Sequence, residues 1–303
     1  MASSRLCANR DLTHDETSLP PRCAVAGPTN RRGRFAIPTG IAFDQHGNLL
    51  VVDQTLAASR VQRFSVDGTV LDDFGSTGSG VGQFYGPTDV AVAPNGDIYI
   101  SDTGNNRILH FNSAWTYAGT FGQSGSTPGQ FDSPRGVAID GTGNVYVADW
   151  LNNRVQKFDP TGTFLQTWGS YGSGNGSFSG PEDIAIFGPT VYVTDLNNSR
   201  VQKFSLTGSY VGQFGEFGSD PGQMAFPTSI AVDGKGYVYV LDQGNSRVEK
   251  FTPQGQLLAV WGQMGSGPGE FSSPYGIAVD TAGVQVYVTD QNNYRVQVFG
   301  ALQ

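Results

Sequence analysis

The sequence predicts an all-β chain folded as a six-bladed β-propeller of four-stranded antiparallel blades, and three observations carry that prediction. A proline recurs at Pro38, Pro87, Pro134, Pro181, Pro227 and Pro274, in steps of 49, 47, 47, 46 and 47 residues. A fixed period of that size marks a repeat array. Each period holds four short runs of β-branched and aromatic residues between turn residues, which is the content of one propeller blade. The 42 glycines of the 303-residue chain are the turn residues that so many short strands need. A blade cannot bury both faces without neighbours, so the repeats form one closed ring rather than separate domains.

Residues Phe131 to Gly169 show one blade in order. Val137-Ala138-Ile139 forms the first strand, and Asp140-Gly141-Thr142-Gly143-Asn144 supplies a turn. Val145-Tyr146-Val147 begins a second strand ending at Asp149, and Arg154 to Phe158 alternates apolar and polar as a third. After the Pro160-Thr161-Gly162 turn, Phe164 to Trp168 gives the fourth strand, stopped by Gly169.

The blades agree column by column. The first strand centres on Ala42, Ala91, Ala138, Ala185, Ala231 and Ala278, because sheets packed radially crowd most near the axis. Ile41, Val90, Val137, Ile184, Ile230 and Ile277 take the opposite face and fill the wedge between blades. Tyr99, Tyr146, Tyr192, Tyr239 and Tyr287, with Leu50 in the first blade, fill the wider gap further out. Asp53, Asp102, Asp149, Asp195, Asp242 and Asp290 end the second strands. Arg60, Arg107, Arg154, Arg200, Arg247 and Arg295 open the third. Each Asp and Arg flank one loop, so the pair is expected to satisfy that loop's backbone rather than to line a channel.

The pattern G-x-F-x-x-P, then I/V-A-V-D, then V-Y-V-x-D-x-x-N-N-R-V-x-K-F resembles the NHL-repeat family of β-propellers over about residues 20 to 303. The resemblance implies the propeller fold. It implies no single function, since that family includes protein-binding and RNA-binding propellers, extracellular sensor domains of receptor kinases and a zinc-dependent amidating lyase.

The last copy ends after its third strand, Arg295 to Phe299. Residues 21–26 are therefore expected to supply the missing outer strand of blade six and close the ring. Residues 1–20 would form an N-terminal arm, and 21–303 a single propeller. No run of 18 apolar residues occurs, so no membrane span is expected, and no secretory signal is visible behind Met1. Cys7 and Cys23, the two cysteines, either pair as a disulfide or stay as free thiols. Pairing would favour an extracellular or periplasmic location. A net charge of −8 and a pI near 4.8 argue against nucleic acid as a partner, which needs Lys/Arg clusters. A monomer is expected.

Function is sought where one blade breaks the pattern. The pairs between each proline and its inner strand stand nearest the channel mouth. They read Thr39-Gly40, Thr88-Asp89, Arg135-Gly136, Glu182-Asp183, Thr228-Ser229 and Tyr275-Gly276. Asp89, Arg135, Glu182, Asp183, Thr228 and Tyr275 are the candidate ligand contacts. Trp150, whose counterparts are Gln54, Thr103, Leu196, Gln243 and Gln291, joins them as a candidate contact on the same loop face. The alternative for this set is that a wet channel mouth tolerates any polar side chain.

Two function classes follow. The first is a binding or sensor propeller presenting its loop face to a protein or small-molecule ligand. The second is a hydrolase or lyase, lactonase-like and divalent-cation-assisted, with its site at the mouth. There Glu182, Asp183 and Asp89 would offer oxygen ligands for Ca²⁺ or another divalent cation. No cofactor is required by the sequence. His14, His46 and His110 are dispersed, which disfavours a histidine-ligated zinc site, and no G-x-S-x-G elbow is present. The binding reading leads, because packing explains every repeating column and no histidine is placed for catalysis.

Overall fold

A computed structural model of the protein describes residues 32–54 and 59–300. The proposed closing strand at 21–26, the arm at 1–20, and Cys7 and Cys23 lie outside the described residues.

Six antiparallel sheets follow one another along the chain, and five have four strands each in simple up-and-down order. Blade three runs Pro134–Ile139, Val145–Asp149, Arg154–Phe158 and Phe164–Trp168, as its alternation predicts. Its first turn is built by Asp140, whose Oδ1 accepts from the backbone N–H of Thr142 (2.9 Å) and Asn144 (3.0 Å). Blade six shows three strands among the described residues, Pro274–Val279, Gln285–Asp290 and Arg295–Gly300. Among the described residues no helix is long and apolar enough to cross a membrane.

The core is six wedges, one at each junction between neighbouring blades. Between blades three and four, Ala138, Tyr146, Ala148 and Val155 meet Phe178, Ile184, Val191 and Phe204. The last wedge joins the two ends of the array, with Phe35, Ile41 and Leu49 packed on Ala278, Tyr287 and Val296. The ring is closed by this seam. Thr289 Oγ1 reinforces it by donating to the Thr39 carbonyl at 2.8 Å across 250 residues of sequence.

The Asp and Arg columns are scaffold, as expected. Asp149 Oδ1 accepts from the Asp132 N–H (2.8 Å), while Oδ2 accepts from Arg154 Nε (2.7 Å) and Gln156 Nε2 (3.0 Å). Arg154 in turn donates to the carbonyls of Ser126, Thr127 and Gln130 in the preceding connection. Each clamp thus pins the chain as it enters the blade. Beside it, the register of the first strand slips between the proline and the first large apolar residue, as between Pro134 and Val137. Such a bulge re-aims side chains, and it falls after the proline in every blade except the second.

Candidate ligand site at the channel mouth

The bulges bring the irregular pairs together. One cavity of about 220 Å³, counting its open mouth, is lined by Asp89, Arg135, Glu182, Asp183, Thr228, Ser229 and Tyr275, with Thr88 and three glycines. Every candidate contact except Trp150 lines it directly. These contacts, Asp89 to Tyr275, come from five blades and almost 190 positions of sequence, and Gly40 brings in the first blade as well.

Glu182 is the centre of this group and is 2% exposed. Its Oε1 accepts from Arg135 Nη1 at 2.5 Å and from Tyr275 OH at 2.9 Å, so blades three, four and six meet on one oxygen. Burial raises the carboxyl of Glu182, against the opposing pull of Arg135 and Tyr275. Burial and the Glu182 charge push Tyr275 well above the usual phenol range. Burial works against the Arg135 cation, but Glu182 and Tyr275 outweigh it and hold the guanidinium charged.

Trp150 sits beneath this bridge rather than on an open rim. The Arg135 guanidinium lies 3.7 Å from its ring centroid. The indole nitrogen packs against Gly180, where an added Cβ would come within 2.7 Å of Nε1 and φ is +72°. A desolvated stack of this kind is worth about 2 kcal/mol. Trp150 therefore positions Arg135.

Asp89 and Asp183 serve the ring as well as the cavity. In blades three, five and six the N–H of the first large apolar residue after the bulge finds its partner on the preceding blade, whereas in blade four the Ile184 N–H donates to Asp183 Oδ1 of its own strand. Asp89 Oδ2 accepts from the Val137 N–H (2.9 Å), and Asp183 Oδ2 from the Ile230 N–H (2.9 Å) and Ser229 Oγ (2.6 Å). Ser229 Oγ repeats the device for the Ile277 N–H at 3.2 Å. Burial, then the Asp183 charge, raise Asp89 well above the carboxylate range, and burial lifts Asp183 to about 6.

These bonds bear on the cation expectation. Among the described residues no group of three or more His, Cys, Asp or Glu side chains is arranged to hold a metal ion. The oxygens of Glu182, Asp183 and Asp89 that would be ligands are largely taken by Arg135, Tyr275, Ser229 and backbone N–H groups. The residues do not fit a divalent cation, and no chemistry is derived through one. The described histidines lie elsewhere: His46 is exposed in a turn, and His110 bonds Asp97 Oδ2 at 2.9 Å and stacks on Tyr99.

What the cavity lacks is partners. Eight buried side-chain polar atoms have no hydrogen bond among the described residues, and three belong to residues that line this one cavity: Arg135 Nε, Glu182 Oε2 and Thr228 Oγ1. A fourth, Trp150 Nε1, lies just below it. An unpaired buried polar group costs about 1–3 kcal/mol, so their gathering at one point makes the mouth the candidate site.

A model of the NHL repeat matches residues 84–111, 131–158 and 271–299. No curated protein sequence matches the chain. Among solved structures, a streptogramin B lyase superposes with a TM-score of 0.65 at 14% identity, covering 91% of this chain and 96% of its own. The virginiamycin B lyase of Staphylococcus aureus bound to quinupristin, in a variant inactivated by replacing a histidine with alanine, gives 0.62 at 14% identity, with coverages of 93% and 89%. A gluconolactonase of Xanthomonas campestris gives 0.67 at 16%, covering 93% and 97%. At such identities the likeness bears on fold alone.

Proposed function

The chain is an NHL-repeat six-bladed β-propeller, and on that scaffold we propose a binding or sensor function whose small-molecule ligand enters the channel mouth. Unpartnered Glu182 Oε2, Arg135 Nε and Thr228 Oγ1 in one cavity carry this reading. A ligand presenting both a donor and an acceptor would satisfy all three, while Trp150 and Tyr275 keep the Arg135–Glu182 bridge in place. A thermal-shift screen against small polar compounds tests it. At least one compound should raise the melting midpoint of the native chain, with its affinity falling at least tenfold in Glu182→Ala. If every stabilising compound acts equally on both proteins, the mouth is not the ligand site.

One observation favours a second reading, a hydrolase or lyase. Asp183, with a carboxyl lifted to about 6, and Asp89, raised well above the usual carboxylate range, could move a proton near neutral pH. The lyase and gluconolactonase propellers of similar fold are consistent with it. The virginiamycin lyase loses activity with one histidine, whereas no described histidine of this chain reaches the mouth. Turnover of a lactone or ester panel that disappears in Asp183→Asn would put this reading first.

A further inference from the structure

We infer that the channel mouth receives a primary ammonium group, with Glu182 Oε2, Thr228 Oγ1 and Asp89 as the acceptors of its three N–H donors. This rests on the mouth being the ligand site, and it names the donor half of that ligand, leaving Arg135 Nε for an acceptor elsewhere on it.

Charge comes first. The titratable groups facing the cavity are Asp89, Arg135, Glu182, Asp183 and Tyr275. One guanidinium stands against three carboxyl groups, and that guanidinium is already paired with Glu182 at 2.5 Å. Among the described residues the remaining two carboxyls have no cation paired with them. Burial and the Asp183 charge hold the Asp89 carboxyl well above its usual range, and burial lifts Asp183 to about 6, which is how an interior accommodates negative charge that lacks a counter-ion. A cationic ligand would supply what is missing, and an anionic one would meet three carboxyl groups at close quarters.

Acceptor geometry then separates an ammonium from a metal ion. A hard divalent cation needs several oxygens free at once, and no such group is arranged here. An ammonium asks for three separate acceptors and tolerates carboxylate oxygens already bonded once, because each has two lone pairs. Asp183 Oδ2 is used twice, by Ser229 and Ile230. Glu182 Oε2 and Thr228 Oγ1 are unused and belong to residues 2% and 4% exposed. Asp89 Oδ2 accepts from the Val137 N–H and keeps a free lone pair.

Proton balance gives a distinctive readout. When the ammonium arrives, the proton held by Asp89 leaves to solvent, so each ligand bound releases up to one proton. Affinity should therefore rise with pH through the carboxyl titration, by up to about tenfold per unit, while an alkylammonium itself stays charged.

Isothermal titration with n-butylammonium chloride at pH 6, 7 and 8, in two buffers of different ionisation heat, tests this. Sodium butyrate and tetramethylammonium chloride, which has charge but no N–H, serve as comparisons. Butylammonium should bind with proton release and the other two should not. Glu182→Gln and the isosteric Thr228→Val should each weaken it at least tenfold, and Asp89→Asn should remove its pH dependence. No binding of butylammonium, or binding indifferent to both Glu182→Gln and Thr228→Val, overturns the ammonium assignment. If butyrate or a neutral compound binds in a Glu182-dependent manner instead, the mouth remains the site and only its chemistry is reassigned. If no compound's binding depends on Glu182, both readings fall.

Discussion

Trp150 shows how one side chain can serve a site it does not enter. Its ring lies under Arg135, Arg135 bonds Glu182, and Tyr275 completes the bridge from the far side of the channel. Phe226 shows the opposite case, a residue held against its own preference. It precedes Pro227 with φ +55° and its ring is 47% exposed. Gly86 and Gly180 take the same place in other blades at φ +59° and +72°. A left-handed backbone costs an L-residue about 1–2 kcal/mol, so Phe226→Gly should gain about 0.5–1 kcal/mol after the added chain entropy of glycine. A urea midpoint that moves down would show that the exposed ring contributes more packing than its backbone loses. Among these residues, the mouth set was legible in the sequence because each member breaks an otherwise regular column. Its bonding was not. Nothing local tells that Tyr275 reaches Glu182 across 93 residues, or that bulges leave N–H groups for Asp89 and Asp183 to bond. Tyr171 and Phe217, each in a connection between blades, are 78% and 71% exposed and so face solvent.

At the scale of one strand, blade five differs from its neighbours by a single group that the column pattern records and our sequence reading passed over. Gln62, Gln156, Gln202 and Gln297 occupy the middle of the third strands, and each does the same three things. Gln156 Oε1 accepts from the Gly129 N–H, while its Nε2 donates to the Gln130 carbonyl and to Asp149 Oδ2. Glu249 holds that place in blade five. Its Oε1 still accepts from the Gly222 N–H at 3.3 Å and pairs with Arg247 at 2.7 Å, but Oε2 is buried without a partner. Only a protonated Oε2 could donate as the glutamine NH₂ does. Burial, opposed by Arg247, lifts this carboxyl to about 7 from an ordinary 4.5. A folded-state pKa raised in this way adds stability that is complete below about pH 4.5 and is lost as pH rises through about 7. The side chain is fully buried, so the loss is on the order of 2–3 kcal/mol. Glu249→Gln restores the missing donor. Its denaturant midpoint should exceed that of the native chain at pH 8 and converge with it near pH 5. Parallel stability–pH curves for the two proteins would refute a protonated Glu249.

For the whole molecule, the decisive feature is that the ring has a seam. The repeats announced six blades and the clamp of each, since every column recurs at a fixed spacing. Which contacts weld the last described blade to the first is not written in any one period, because the seam joins residues that are neighbours only once the ring exists. Thr289 makes that weld: its Oγ1 accepts from the Gly276 N–H at 2.7 Å and donates to the Thr39 carbonyl at 2.8 Å, fully buried. Thr194 is its counterpart in blade four, accepting from the Asp183 N–H at 2.8 Å within its own sheet. Removing either hydroxyl with Thr→Val keeps the shape and strands buried backbone groups, at about 1–3 kcal/mol. The kinetics should separate them. Contacts of short separation form early, whereas a contact spanning 250 residues must wait for the chain between to be ordered. Thr289→Val should therefore accelerate unfolding with little change in refolding rate, and Thr194→Val should slow refolding. Stopped-flow chevrons of the two variants measure both limbs. If Thr289→Val slows refolding as much as Thr194→Val does, the seam forms with the nucleus, and the ring closes before its blades are complete.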